Sequence, residues 1–402
     1  MKHLARTTVV TLAVVLGASA TPVKAEGAWE VTPESQAALE RGLEWLAQNQ
    51  GPKGNWDSQH LGLVSMGLMA YLSAGHLPGR GKYGENVQRA LDYIISNAHS
   101  SGLLNIAVRG HDMYNHGLAT FVLGQVYGMT GDKKVGHVLD GALRLIQDSQ
   151  CDDGGWDYVA VPKPRGHDLS LCVMQAKALR SAMDCGLKVH PQVVNKAVAA
   201  VRQYYIPNFG AGVKDPKLHQ QMATFSYNPN DRGRASITMT AVGVVCLQEF
   251  GQYDDPRIEP AMRYIRYMVQ QGEAFFNEQY RQSKSPKPKH RKAMDIPANH
   301  VPFDAYTLYY LGQAIYQRGG EDWKICYPIL RDQLVKRQKL TPGDIGHHGT
   351  WVSTLWGMEG KEAEFYGTAI GCFFLAMPNR YLPILQEGRI ESLVHPVEPR
   401  KG

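Results

Sequence analysis

Six times along the chain, an amphipathic helical run is followed by a run that is apolar or small on almost every face. The first amphipathic run begins at Gln36, where Leu39, Leu43 and Leu46 make one stripe and Glu40, Arg41 and Glu44 fill the opposite side. Such a helix covers something, whereas one that is apolar all round must itself be enclosed. The enclosed type recurs at 61–74, 114–129, 169–183, 235–250, 304–317 and 365–377. The striped type recurs at 87–96, 135–148, 191–205, 256–271 and 323–336. Gly75, Gly131, Gly186, Gly251 and Gly319 close the first five enclosed runs and Pro378 stops the sixth, as helix C-termini commonly require.

This alternation predicts an all-α fold of six helical hairpins. An open stack would leave two apolar ends needing polar caps. The first and last enclosed runs are both ordinary and apolar, so the expectation is a closed α/α toroid, with an inner ring of enclosed helices sheathed by an outer ring. Connections after the closing glycines are brief. Connections into the enclosed runs are long, at 100–110, 152–166, 207–234, 272–302 and 340–361. The elaboration thus gathers at one end, together with the N-termini of the inner helices, whose dipoles favour an anion. Long loops on a rigid frame are where function usually sits.

A local motif accompanies the hairpins. Gln50 to Trp56 and Gln150 to Trp156 share one spacing: Gln, three residues, Gly, one residue, Trp. Gly349-Thr350-Trp351 is a partial copy. Gln150-Cys151-Asp152-Asp153-Gly154-Gly155-Trp156 resembles the repeat of squalene and oxidosqualene cyclases, and related repeats occur in protein prenyltransferase β subunits. Both families are α/α toroids, so the resemblance implies the same fold and, for the cyclases, an apolar ligand in a central cavity. In those families the Gln and Trp of the repeat are structural, tying outer helix to loop. The catalytic motifs are missing from the sequence: it has no Asp-x-Asp-Asp acid, no Asp-x-Cys zinc ligand and no Cys-Gly-Glu-Gln thioester.

Candidate chemistry is read at the starts of the inner runs. Counted back from the closing glycines, His60, His116, Ser236 and Asp304 fall at one level, with Leu171 in the third unit and Glu364 nearest in the sixth. These residues either cap helices or ring a ligand; Ser236 and Asp304 are common N-cap types. In His111-Asp112-Met113-Tyr114-Asn115-His116, Asp112 and His116 are four apart and would share a helix face, where they could hold a metal or pass a proton. The competing reading is a cap and a satisfied core histidine. His167-Asp168 repeats the pairing in the third unit, and Arg232 and Arg234 beside helix N-termini suit a diphosphate, a carboxylate or a uronic acid. Tyr306, Tyr309, Tyr310, Tyr366, Phe373 and Phe374 give an aromatic interior, fit either for core packing or for a carbocation or sugar. The candidate catalytic set is Asp112, His116, His167, Asp168, Asp304 and Glu364. The candidate ligand-binding set is His60, His111, Tyr114, Arg232, Arg234, Ser236, Tyr306 and Tyr366. No cofactor is implied and no metal site is assigned.

The remaining features bound the setting. Lys2, His3 and Arg6 precede an apolar run at 9–18 and small-residue sites at Ala20 and Ala25, the shape of a secretory leader over residues 1–25. An exported chain with one domain at 30–388 and a tail at 389–402 is expected, periplasmic or extracellular. After leader cleavage no stretch is long and apolar enough for a membrane anchor. The formal charge of +6 draws on that leader and on the Pro-broken basic run 284–292, so it marks no nucleic-acid face. Of six cysteines, only Cys151 and Cys185 are placed to be considered for a bridge. Three functions fit: a cyclase-like protein handling an isoprenoid or other apolar or anionic ligand, a carbohydrate-active lyase or hydrolase on a polysaccharide, and a non-enzymatic binding scaffold.

Overall fold

A computed structural model describes residues 29–108, 110–272, 297–353 and 358–386. The leader, the basic run 284–292 and the tail 389–402 lie outside the described residues. Thirteen α-helices occur among those described: α1 (Pro33–Gln48), α2 (Leu61–Ser73), α3 (Gly84–Ser96), α4 (Asp112–Thr130), α5 (Lys133–Asp148), α6 (Leu169–Asp184), α7 (Pro191–Arg202), α8 (Pro216–Gln221), α9 (Ile237–Glu249), α10 (Ile258–Gln270), α11 (Ala305–Arg318), α12 (Gly320–Arg337) and α13 (Gly360–Ala376). Every residue of α2 is buried, as an enclosed helix requires. α2 packs on α4, α4 on α6, α6 on α9, α9 on α11 and α11 on α13, and α13 returns to α2. The inner ring is closed, as expected. No helix among the described residues is long and apolar enough to cross a membrane.

The pairing of inner and outer helices differs from the sequence reading. There, each striped run was coupled to the enclosed run that follows it. In the structure α3 packs chiefly on α2, α5 on α4, α10 on α9 and α12 on α11, each on the inner helix before it. The short turns decide this, because they leave no room for the two helices to part. α1 has no inner helix before it and packs on α13, so the first helix of the chain sheathes the last. Gly75, Gly131, Gly186, Gly251 and Gly319 all stand at positive φ, between 65° and 87°, and Arg380 (φ 56°) takes the same role in the sixth unit after a 3-10 turn at Met377–Asn379.

A second difference lies in the loop 207–234. Tyr205–Ile206, Thr224–Ser226 and Ala235–Ser236 form a three-stranded antiparallel sheet, β1-β2-β3 in that order. Tyr205 and Ala235 had been read as helix ends. Phe225 on the central strand is fully buried and fills the space over Gly243, where a Cβ would come within 2.3 Å of its ring. That burial holds the strand down and draws its two neighbours into pairing. Cys151 and Cys185 are not bridged; all six cysteines are free.

The Gln–Gly–Trp motif is the joint of the ring. Gln50 Nε2 donates to Gly54 O (3.3 Å) and to Asn86 O of α3 (2.7 Å), and Trp56 Nε1 donates back to Leu46 O of α1 (2.8 Å). Gln150 does the same to Gly154 O (3.0 Å) and Val193 O of α7 (2.9 Å), with Trp156 on Ile146 O of α5 (2.8 Å). Each glutamine thus binds its own loop and the next outer helix. The motif glycines touch that next helix directly: a Cβ on Gly54 or Gly154 would stand 2.5 or 2.2 Å from the backbone of Arg89 or Lys196. Both glycines also sit at positive φ (79° and 91°), so two separate constraints exclude a side chain.

The partial copy at Gly349-Thr350-Trp351 proves complete in space. Its glutamine is Gln338, eleven residues before the glycine rather than four. Gln338 Nε2 donates to Gly349 O (2.9 Å) and to Ala38 O of α1 (2.8 Å), and Trp351 Nε1 donates to Leu334 O of α12 (2.7 Å). A Cβ on Gly349 would lie 2.8 Å from Arg41 O. This joint therefore fastens the last outer helix to the first. Gly102 repeats the close approach in the second unit, 2.4 Å from Gly141 O, with fully buried Leu104 in place of the tryptophan. Gln338→Leu removes the side-chain donor shared by the carbonyls of Ala38 and Gly349 and is expected to lower stability by about 2 kcal/mol in urea unfolding. Gln36→Ala, on the exposed face of α1, is expected to change it by less than about 0.5 kcal/mol.

Candidate functional site

The first turns of the inner helices open on the long-loop end. Alignment by closing glycines suggested one ring of polar residues there, but the structure divides it between two faces. His116 points outward to α5. Its Nδ1 accepts from Leu104 N (3.1 Å) and its Nε2 faces Ala142 O (3.1 Å), which places the ring proton on Nε2. Burial lowers its pKa to about 4. Glu364 likewise turns to the outer wall, where it pairs with His347 Nδ1 (2.7 Å). Four residues on, Thr368 accepts from Trp351 N (3.2 Å) on that same face.

The other candidates are placed as follows. Asp112 accepts from Asn105 Nδ2 (2.7 Å) and does not join His116. Ser236 caps α9 through Met239 N (3.1 Å), and Asp304 caps α11, accepting from Thr307 N and Thr307 Oγ1 (both 2.8 Å). His60 stands at the start of α2 with its ring 6.4 Å from that of His111. Arg232 and Arg234 ride on aromatic faces at the rim, 5.3 Å over Phe209 and 5.4 Å over Tyr227. Among the described residues, no group of three or more His, Cys, Asp and Glu side chains gathers as a metal ion would need.

What does converge is a set of phenols around Asp168. Asp168 is fully buried and caps α6. Its Oδ1 accepts from Ser170 N (2.9 Å), Leu171 N (3.2 Å) and Ser170 Oγ. Its Oδ2 accepts from Tyr158 OH (2.8 Å), Tyr227 OH (2.5 Å) and His167 Nδ1 (2.9 Å). Tyr158 OH and Tyr227 OH lie 2.7 Å apart, and Tyr114 OH meets Ser170 Oγ. Tyr306 belongs to α11, across the ring from Tyr114 on α4. Burial, then Tyr310, Tyr114, the Asp168 carboxylate and Tyr366, push its phenol well above the ordinary value. Side chains from α4, α11 and α13 and the cap of α6 thus act on the Tyr306 phenol. Tyr114, Tyr158 and Tyr227 are raised as well, by burial first and by Asp168 among the further causes, so all stay protonated as donors near neutral pH.

His167 is the exposed member. Its side chain is about half accessible (48%) while that of Asp168 is sealed (0%). The carboxylate holds Nδ1 and the Tyr158 ring packs edge-on at 4.5 Å, while the imidazole stays about half accessible. A buried carboxylate orienting an accessible imidazole is an arrangement suited to proton transfer. Sequence reasoning found Asp168, His167 and Tyr114. It missed Tyr158 and Tyr227, which come from irregular loops where no period marks a residue as facing inward.

Below the mouth, among the described residues, the axis holds a buried ion pair. Lys177 of α6 and Glu249 of α9 pair at 2.9 Å with neither side chain exposed, and Lys177 Nζ also donates to Gln313 of α11. The ammonium lies 4.2 Å from the centroid of the Phe121 ring and 5.9 Å from that of Tyr309. Burial lowers the Lys177 pKa, and the Glu249 carboxylate opposes the fall.

No family model matches the chain, and no curated protein matches it in sequence. Solved structures do. A sugar epimerase from a ruminal bacterium superposes with a TM-score of 0.55 at 12% identity, over 86% of this chain and 98% of that one. An inactive variant of the α-1,6-mannanase of a Salegentibacter species, in complex with α-1,6-mannotetrose, gives 0.50 at 10% identity over 86% and 100%. The fold is an α/α toroid. A type II terpene cyclase from Scytonema follows at 0.49 and 14% identity, over 87% and 100%. Identities this low speak for the fold alone.

The His116 tether carries a pH prediction. Above pH 6.5 the imidazole is neutral in folded and unfolded chain alike. Between 6.5 and about 4 only the unfolded chain takes the proton, so stability falls as pH falls; below that range both states are protonated and no more is lost. The stability difference between wild type and His116→Gln should therefore shrink by about 2 kcal/mol from pH 7 to pH 5 in urea unfolding. A difference that stays flat over that range would mean the histidine is not held neutral.

Proposed function

We propose that the long-loop mouth binds a hydroxyl-rich, carbohydrate-type ligand, and that His167, held by Asp168, moves a proton on it. The Asp168 cluster carries this reading. Three phenols, a buried carboxylate, Ser170 and an accessible imidazole stand within hydrogen-bond reach of one another. Such a site exchanges hydrogen bonds with hydroxyl groups and discriminates strongly against ligands lacking them. Tyrosine faces supply the flat apolar surface that the C–H side of a sugar ring covers. Arg234 and Arg232 at the rim favour an acidic sugar or a carboxylate substituent. Two toroids of similar fold carry sugar-related names, which agrees with this reading without carrying it.

The isoprenoid reading fares less well on one observation. The aromatic wall at Phe121 and Tyr309 already faces a cation, the Lys177 ammonium, and among the described residues the axis beneath the mouth holds a buried ion pair. A carbocation or a long apolar chain would have to displace it. With the leader removed, the proposed place of action is outside the cytoplasm.

The test is calorimetric binding and turnover assays of the mature chain against neutral and uronic-acid oligosaccharides. Tyr227→Phe is expected to weaken binding about 5- to 10-fold through one lost hydrogen bond. His167→Gln is expected to lower turnover by about 10²–10⁴-fold while leaving affinity within a few-fold. The proposal fails if no saccharide binds at millimolar concentration, or if His167→Gln turns over like the wild type.

A further inference from the structure

The opposite end of the toroid, where the short turns lie, contains a cavity of about 600 Å³. That volume is within the usual range for a small-molecule site. Its wall is built from the last turns of α6, α9 and α11, the turn after α9, the first turn of α12 and the chain that follows α13. Arg180, Gln248, Tyr253, Tyr316, Gln317 and Trp323 carry the chemistry. None of these belongs to the mouth.

Arg180 is only 5% exposed, and it is fixed in place. Its Nε donates to both oxygens of Asp184 (2.8 and 3.0 Å) and its Nη1 donates to Tyr253 OH (2.8 Å). Among the described residues its Nη2 has no acceptor. The other two arginines on the wall are tied elsewhere: Arg318 to Glu259 (2.6 Å), and Arg380 to Tyr316 OH (3.2 Å) and Glu30 (3.6 Å). One preset guanidinium nitrogen, Nη2, is therefore left to donate to an anion such as a carboxylate, on a wall that Asp254 also lines.

The same wall leaves two acceptors without donors. Gln248 is 1% exposed and gives its Nε2 to Ala314 O (3.3 Å), while its Oε1 is buried and unpartnered. Gln317 gives its Nε2 to Glu249 Oε1 (3.0 Å), and its Oε1 is unpartnered too. Buried acceptors left this way each cost about 1–3 kcal/mol, so they point to a partner that supplies N–H or O–H groups. The C-terminal ends of three inner helices face this cavity and add to its appetite for donors. Tyr253, Tyr316 and Trp323 give it apolar, aromatic sides.

We propose that this closed-end cavity is a second binding site, for a small carboxylate that also carries its own N–H or O–H donors and an apolar body, of amino-acid or hydroxy-acid type. The carboxylate takes the free Nη2 of Arg180. The donor group takes the glutamine carbonyls, and the body lies against Trp323 and Tyr316. Neither group alone satisfies the wall: a plain amine meets Arg180, and a plain carboxylate leaves both glutamines unpaired.

The full mature chain would be titrated by calorimetry and ligand-observed NMR with L-phenylalanine, L-phenyllactate, phenylacetate and phenethylamine. Binding of the first two is expected to exceed that of the last two by about tenfold, one charge-assisted or paired hydrogen bond's worth. Arg180→Met should abolish the preference for a carboxylate. Because Arg180 also holds Asp184 and Tyr253, Gln317→Met is the second variant; it gives up one bond to Glu249, should keep the fold by circular dichroism, and should lower affinity about 5- to 10-fold. No binding of any of the four at 10-millimolar order (~10 mM, a weak limit by affinity arithmetic), or binding that folded Gln317→Met leaves unchanged, would overturn the proposal. So would loss of binding on Tyr227→Phe, which would place the ligand at the mouth.

Discussion

The fold depends on one joint: a glutamine side chain that donates to the carbonyl of its own loop and to the carbonyl of the next outer helix. Helices stacked in a ring have no backbone pairing between them, so packing alone would leave their register soft. At three of the six gaps the glutamine supplies directional bonds, the glycine lets the next helix come to van der Waals contact, and the tryptophan returns a bond to the helix just ended. Gln338 matters most among the three, since it reaches Ala38 and so joins the end of the chain to its beginning. Without that joint the same hairpins could continue as an open stack.

Closure has two chemical consequences. It brings six helix N-termini to one mouth and six C-termini to the other end, and those ends differ in kind. The N-terminal end gathers long loops and a carboxylate, Asp168, that both caps a helix and collects phenols. The C-terminal end has short turns and arginines held by carboxylates and phenols, Arg180 by Asp184 and Tyr253 and Arg318 by Glu259. Closure also creates an axis that must be filled. Here it is filled partly by the Lys177–Glu249 pair, whose desolvation is a cost that hydrophobic residues of like size would avoid. A buried pair drawn from α6 and α9, with Gln313 of α11, instead fixes how those helices face one another.

Much of the ring was legible because helix periodicity is a local property. The stripe of Leu39, Leu43 and Leu46, the wholly apolar 61–73 and the closing glycines each announced themselves within a few residues. Reading went wrong where the decisive partner was distant. Counting back from the glycines put His116 and Glu364 in a ring with Asp304, yet α4 and α13 begin several residues before those positions while α11 begins just after Asp304. A residue at a helix's fifth position and one at its cap face different ways. Tyr158 and Tyr227 gave no local sign at all, since only the fold carries their loops over α6. Gln338 was hidden by an insertion of seven residues in the spacing of its motif.

By itself the sequence determined the helix types, their order, their approximate ends and the side on which the loops gather, because each follows from hydrophobic period and turn chemistry within a short window. The tertiary structure alone decided which outer helix covers which inner one, which face each mouth residue shows, and that Asp168 rather than the His111–His116 cluster is where side chains meet. Those are questions of contact between segments far apart in the chain, and they are settled by the closure of the ring.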